Sequence, residues 1–217
     1  MTMAEPVVVK ICGIRTLPIL ETAIEAGADM VGFMHFPRSP RHVDIDTLGS
    51  LISAARGRAE TAVVLVNPDN TLVAQVAALG PDWLQLHGPE SPRRVEAIRA
   101  EAGLAIIKAL PIGGAEDVAA IAGYADIADR LLLDAKPPKQ AERPGGHGIV
   151  FDWTLLGALD PGVSFMLSGG LTPDNVGEAV RTVRPLGVDV SSGVETAPGE
   201  KDAGLVRAFI AAARAAG

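Results

Sequence analysis

The chain has 217 residues, with 19 Lys and Arg against 26 Asp and Glu, for a net charge of −7. That length suits one domain that buries roughly 70% of its unfolded surface without staples, and the acidic balance, the lack of a basic run and an aromatic content of 4% argue against nucleic acid or a membrane surface as partner. Cys12 is the single cysteine, which excludes an internal disulfide, no apolar run reaches ~18 residues, and 48% hydrophobic residues exclude a disordered chain, so the reading is a soluble cytoplasmic protein.

The first apolar run, Val7–Ile11, reads as a strand that leads into Cys12 and Gly13. Strand side chains alternate, so Lys10 and Cys12 share a face. A lysine on a buried strand needs an anion beside it. It would also draw Cys12 towards thiolate and lower its pKa. Taken alone, Cys12 reads equally well as a small core residue. Ile19, Ala23, Ile24 and Ala26 then form a helical stripe.

Met30–Phe33 and Ala62–Val66 are the second and third strands, and Asp69-Asn70 opens a helix with Leu72, Val73, Val76 and Leu79 as its apolar side. The fourth strand, Trp83–Leu86, places Gln85 and His87 on one face at its end. Pro89-Glu90-Ser91-Pro92 starts the next helix, with Val95, Ile98 and Ala102 turned inward. Leu104–Ala109 is the fifth strand, and Leu131–Leu133 is the sixth, closed by Asp134. A carboxylate there either caps a helix or serves as an acid. The segment that follows, Ala135 to Val150 with Pro137-Pro138 and Gly145-Gly146, is too long for a capped turn and reads as a lid-like loop. Val163–Leu167 runs into Ser168-Gly169-Gly170-Leu171-Thr172-Pro173 and then a helix striped with Val176, Ala179, Val180 and Val183. Gly187–Val190 is the eighth strand, carries Asp189 and ends in Ser191-Ser192-Gly193, and the last helix covers Gly204 to Ala215.

Eight alternations of strand and helix fit either a closed (β/α)8 TIM barrel or an open doubly wound sheet; the count and the length favour the barrel, as a single domain over residues 1–217. The site then lies at the C-terminal ends of the strands. Closure sets strand eight beside strand one, which makes Asp189 the partner of Lys10. Lys10, Gln85, His87 and Asp189 are candidates for substrate contact. The turns after strands seven and eight offer backbone amides of Gly169, Gly170, Ser191, Ser192 and Gly193 to a phosphate. Their alternative is ordinary turn chemistry. No metal-ligand spacing, dinucleotide fingerprint or P-loop is present in the sequence.

Val9-Lys10-Ile11-Cys12-Gly13-Ile14, Ser39-Pro40-Arg41, Gln85-Leu86-His87-Gly88, Leu133-Asp134-Ala135, Gly145-Gly146-His147-Gly148, Phe151-Asp152-Trp153, Ser168-Gly169-Gly170-Leu171 and Val188-Asp189-Val190-Ser191-Ser192-Gly193-Val194-Glu195 stand in that order along nearly the whole chain. In these segments the sequence resembles the phosphoribosylanthranilate isomerase family of tryptophan biosynthesis. It departs from the family at His147, where Thr, Ser or Asn is usual, and in a longer segment around Pro137-Pro138-Lys139. The resemblance implies an Amadori rearrangement of N-(5'-phosphoribosyl)anthranilate without a cofactor or metal, with Cys12 as general base and Asp134 as general acid. It also implies that Arg41 meets the anthranilate carboxylate, which a planar guanidinium suits. The partner implied is a small phosphosugar, and other tryptophan-pathway enzymes become candidate protein partners. An isomerase of the related histidine-pathway aminoaldose is the competing reading, and Cys12 speaks against it because that enzyme resembles an Asp/Asp machine.

Overall fold

Eight short parallel strands close into a barrel in chain order, and the first pairs with both the second and the last. They are β1 (Val8–Cys12), β2 (Met30–Met34), β3 (Glu60–Leu65), β4 (Trp83–Leu86), β5 (Ala105–Ile112), β6 (Arg130–Ala135), β7 (Phe165–Leu167) and β8 (Gly187–Val190). The computed structural model describes residues 6–136, 152–160 and 162–217. Of the segment read as a lid, Ala135 instead ends β6 and Lys136 follows it, while residues 137–150, with Pro137-Pro138, Gly145-Gly146 and His147, lie outside the described residues, as does Phe151.

The outer layer holds α1 (Leu17–Glu25), α2 (Ile45–Ala55), α3 (Asn70–Ala77), α4 (Pro92–Ala102), α5 (Ala115–Ala120), α6 (Val176–Val183) and α7 (Ala203–Arg214). The start signals act as capping chemistry predicts: the Asp69 carboxylate accepts from the Leu72 amide at 2.8 Å, and the Ser91 hydroxyl accepts from the Arg94 amide at 3.3 Å. After Thr172-Pro173 the helix begins later than the sequence suggests, because Asn175 first closes a turn by accepting from the Thr172 amide at 2.8 Å. Between β6 and β7, the described residues contain a 3₁₀ segment, Trp153–Ala158, where the other modules carry an α-helix. After β8 the chain makes a two-stranded ribbon, β9 (Glu195–Ala197) and β10 (Glu200–Lys201), before α7.

Two apolar cores result from the period-2 alternation of the strands. The outward set, including Val9, Ile11, Val31, Val63 and Leu84, packs under the helices. The inward set, Met30, Ala62, Ile107, Ala109, Leu132 and Met166, fills the barrel. Its lower end is closed by Arg130, whose guanidinium lies 4.3 Å from the Trp83 ring centroid and 3.5 Å from Glu60. Above the apolar layer, the next inward positions are Lys10, Gln85 and Asp189, all buried. Cys12 and Asp134 stand one inward step higher on β1 and β6. The interior therefore changes from apolar to charged on approach to the C-terminal mouth.

Candidate active site

Lys10 is fully buried, and β1–β8 pairing sets it directly opposite Asp189. Its ammonium donates to Asp189 Oδ1 at 2.6 Å and to Gln85 Oε1 at 2.8 Å. Burial works against this charge, but Asp189 and Cys12 outweigh it and hold the Lys10 pKa above the ordinary lysine value. The anion that sequence reasoning required for Lys10 is thus supplied by the fold itself. Asp189 Oδ2 also accepts from the Ser168 hydroxyl at 3.1 Å, which ties β7 to the group.

A second branch runs across the mouth. Gln85 Nε2 faces His87 Nδ1 at 3.2 Å, and His87 Nε2 faces Asp134 Oδ2 at 3.2 Å. Asp134 Oδ1 accepts from the Ala135 amide at 2.8 Å. Residues of β1, β4, β6, β7 and β8 are thereby joined in one chain of polar contacts. The loop that carries His87 is fixed from behind by a buried ion pair, Lys108 to Glu90 at 2.7 Å. The Lys108 ammonium also donates to the Gly88 carbonyl at 2.6 Å, and Glu90 Oε1 accepts from the Asn67 amide at 2.7 Å. The ends of β3 and β4 are so held to one carboxylate.

Cys12 is 5% exposed. Sequence reasoning expects Lys10 to lower its pKa, and here a correction is needed. Lys10 and Lys201 do pull the thiol down, but burial, helped by Asp189, prevails and leaves the pKa above the ordinary thiol value. Cys12 pairs in register with Gly32 of β2, and a methyl group at Gly32 would stand 2.8 Å from Cys12 Sγ. The missing side chain is what leaves room for the sulfur.

Arg41 occupies the loop after β2, as expected, but it is buried and already partnered. Its Nε donates to Glu195 Oε1 at 2.7 Å and its Nη2 to Glu195 Oε2 at 2.8 Å, a bidentate pair that fixes the plane of the guanidinium. Nη1 makes no hydrogen bond among the described residues. Arg41 and Lys201, which donates to Glu195 Oε1 at 3.1 Å, hold the Glu195 carboxyl below the usual carboxylate range against the effect of burial. Sequence reasoning gave Glu195 no role and overlooked Lys201 and Gly32. The usable signal was the Pro198-Gly199 turn between Glu195 and Lys201, which folds opposite charges onto one another.

In the turn after β7, Gly169 and Gly170 have φ of 91° and 65°, which favours glycine at both positions. A side chain at Gly169 would run into Ala135 and the Asp134 carboxylate. Among the described residues, the Gly169 and Gly170 amides donate no hydrogen bond, while Asn175 Nδ2 pins the loop by donating to the Gly170 carbonyl at 3.0 Å. Gly193 packs its Cα against the Leu171 carbonyl, so the two turns expected to cradle an anion are in contact. The Ser191 hydroxyl is buried without a partner among the described residues.

A family model described as N-(5'-phosphoribosyl)anthranilate (PRA) isomerase matches residues 9–212 of the chain. An N-(5'-phosphoribosyl)anthranilate isomerase of Azorhizobium caulinodans is 56% identical over 209 residues, covering 96% of this chain and 92% of that protein. One from Rhodopseudomonas palustris is 53% identical, covering 96% and 99%. The crystal structure of phosphoribosyl anthranilate isomerase from Thermotoga maritima superposes with a TM-score of 0.85 at 34% identity, covering 96% and 99%. A phosphoribosyl anthranilate isomerase in complex with reduced 1-(o-carboxyphenylamino)-1-deoxyribulose 5-phosphate superposes with a TM-score of 0.82 at 32% identity, with the same coverage.

Proposed function

The chain belongs to the N-(5'-phosphoribosyl)anthranilate isomerase family, and on that premise we propose that Cys12 and Asp134 carry the two proton transfers of its reaction. The reaction is the isomerisation of N-(5'-phosphoribosyl)anthranilate to 1-(2-carboxyphenylamino)-1-deoxy-D-ribulose 5-phosphate, a step of L-tryptophan biosynthesis. Asp134 donates a proton to the furanose ring oxygen as its bond to C1 breaks, and the anthranilate nitrogen supplies the electron pair that forms the Schiff base. Cys12, as thiolate, takes the C2 proton. The electrons of that bond flow into C1–C2 and neutralise the nitrogen, and the enolamine tautomerises to the ketone. The substrate's own amine is the electron sink, so these steps need no cofactor.

A buried thiol with a raised pKa is a poor base until something favours its anion. The opened Schiff base carries a positive nitrogen, which joins Lys10 and Lys201 around the sulfur at the step that needs thiolate. Arg41, set flat by Glu195, offers Nη1 to the anthranilate carboxylate. The unpartnered amides of Gly169 and Gly170, with Ser191, Ser192 and Gly193 across the contact, receive the phosphate. The observation that carries this reading is the change of character inside the barrel. The layer beneath Lys10 is apolar, and above it a thiol and a carboxylate face inward on separate strands. The test is the loss of the aminoaldose's fluorescence on adding purified protein. Cys12→Ser and Asp134→Asn should each lower kcat by ~10²–10⁴-fold with the fold intact. Near-normal turnover in either variant would remove that residue from its role.

A further inference from the structure

A guanidinium can grip a carboxylate along two edges, one made by Nε with an Nη atom and the other by both Nη atoms. Glu195 already fills the first edge of Arg41, through Nε at 2.7 Å and Nη2 at 2.8 Å. The second edge is left for a ligand, with two hydrogens on Nη1 and one on Nη2. The charge of Arg41, however, is already matched. Arg41 and Glu195 sum to zero, and their side chains are only 4% and 3% exposed. A second carboxylate brought to this pair would be drawn by the guanidinium and repelled by Glu195 behind it, where water and salt screen little.

The β9–β10 ribbon changes this sum. It folds Lys201 back onto Glu195, and the buried Lys201 Nζ donates to Glu195 Oε1 at 3.1 Å and to the Ser191 carbonyl at 3.2 Å. Burial works against the Glu195 anion, but Arg41 and Lys201 outweigh it. Burial also pushes Lys201 below the ordinary lysine value, with Glu195 as the chief force against it. A carboxylate arriving at Arg41 adds to that force. Two cations then stand on one anion, and the buried group carries one net positive charge. The neighbouring charges among the described residues leave that sum intact. Lys10 is answered by Asp189 at 2.6 Å, Arg15 and Arg38 are exposed, and Asp202 caps α7 by accepting from the Leu205 amide. We propose that Lys201 supplies the net positive charge with which the Arg41 site recognises the substrate carboxylate. It is a specificity-determining residue even though its own hydrogens go to the protein. This rests on the reading that Arg41 meets that carboxylate.

The quantity to measure is the preference, kcat/KM for the carboxylated aminoaldose over the aniline analogue that lacks the carboxylate. Lys201 also acts on Cys12, but that effect is common to both substrates and cancels in the ratio. Lys201→Met should lower the preference about tenfold, the order expected for one unit charge at short range in a buried site. The loss should fall mainly on KM, and Lys201→Arg should keep most of the preference. Adding Glu195→Gln to Lys201→Met returns the group to one net positive charge and should restore most of it. A merely structural role for Lys201 would instead make the double variant worse than the single one. An unchanged preference in Lys201→Met, or a double variant below the single, overturns the proposal. A further measurement uses the unaltered full-length enzyme with reduced 1-(o-carboxyphenylamino)-1-deoxyribulose 5-phosphate bound. The ¹⁵Nζ signal of Lys201, identified by its loss in Lys201→Arg, should be that of an ammonium at neutral pH. A neutral amine there also overturns the proposal, and this result stands whether or not Lys201→Met folds. If Arg41→Ala keeps the preference, the reading of Arg41 has failed and the role of Lys201 fails with it. If Arg41→Ala erases the preference while Lys201→Met keeps it, the inference about Lys201 alone has failed.

Discussion

Gly32→Ala is the smallest change that should disable the enzyme without touching a reacting group. The new methyl would lie 2.8 Å from Cys12 Sγ, 3.1 Å from Cys12 Cα and 3.2 Å from its Cβ. Ordinary heavy-atom contact begins near ~3.5 Å, so the sulfur must withdraw by about 0.7 Å or swing to another rotamer. Gly32 lies outside the left-handed region, so alanine suits its backbone dihedrals, and the strain comes from these contacts with Cys12, the sulfur's being the shortest. Overpacking of this kind costs about 1–3 kcal/mol of stability. The catalytic cost is larger in proportion, because proton abstraction needs reacting atoms within about 3–3.5 Å, and an error of ~1 Å can cost 10²-fold. The expected result is a kcat some 10²-fold lower, a KM within a few-fold of normal, and a folded protein of slightly lower Tm. Progress curves of substrate fluorescence with a thermal melt on the same sample check it. If Gly32→Ala melts lower as expected but keeps kcat within about threefold, the position of the sulfur does not limit the reaction and the case for Cys12 as base is refuted.

Arg41→Ala should lose about 2–3 kcal/mol of transition-state stabilisation through the substrate carboxylate. It should nearly erase the preference in kcat/KM for the carboxylated substrate over an aniline analogue, and a preference kept in full would return Arg41 to a purely structural pairing with Glu195. In the ligand-free enzyme, burial holds the Cys12 thiol above its ordinary pKa, so less thiolate is present at neutral pH than in a free cysteine. Alkylation by iodoacetamide should therefore rise with pH to a midpoint above that of free cysteine, and Lys201→Met should move the midpoint higher still; a midpoint below the free value would mean that the two lysines outweigh burial.

All eight strands were legible because each is an apolar run covered on both faces, and their ends differ from expectation by only a few residues. β5 is the largest departure: it continues to Ile112 because Pro111 and Ile112 pair with Asp134 and Ala135, prolonging both strands at the rim. Alternation alone put Lys10 with Cys12 and Gln85 with His87, and closure of the barrel brought Asp189 to Lys10. What the sequence hid depends on distance rather than order. Sequence neighbours name the charges near Cys12 but not the depth at which desolvation overtakes them. Glu195 taking the Arg41 fork, and Lys201 taking Glu195, follow from a ribbon of three and two residues whose strands are too short to leave a periodic signal.

The apolar layer of Met30, Ala62, Ile107, Leu132 and Met166 also governs where protons can go. Among the described residues it separates Lys10 and Gln85 from the solvated floor, and hydrocarbon conducts no protons. On the proposed roles, Cys12 and Asp134 exchange with bulk water, among the described residues, through the mouth and not through the apolar layer. On those roles an isotope carried on the C2 hydrogen washes out into solvent during turnover through the mouth rather than by a leak through the bottom of the barrel.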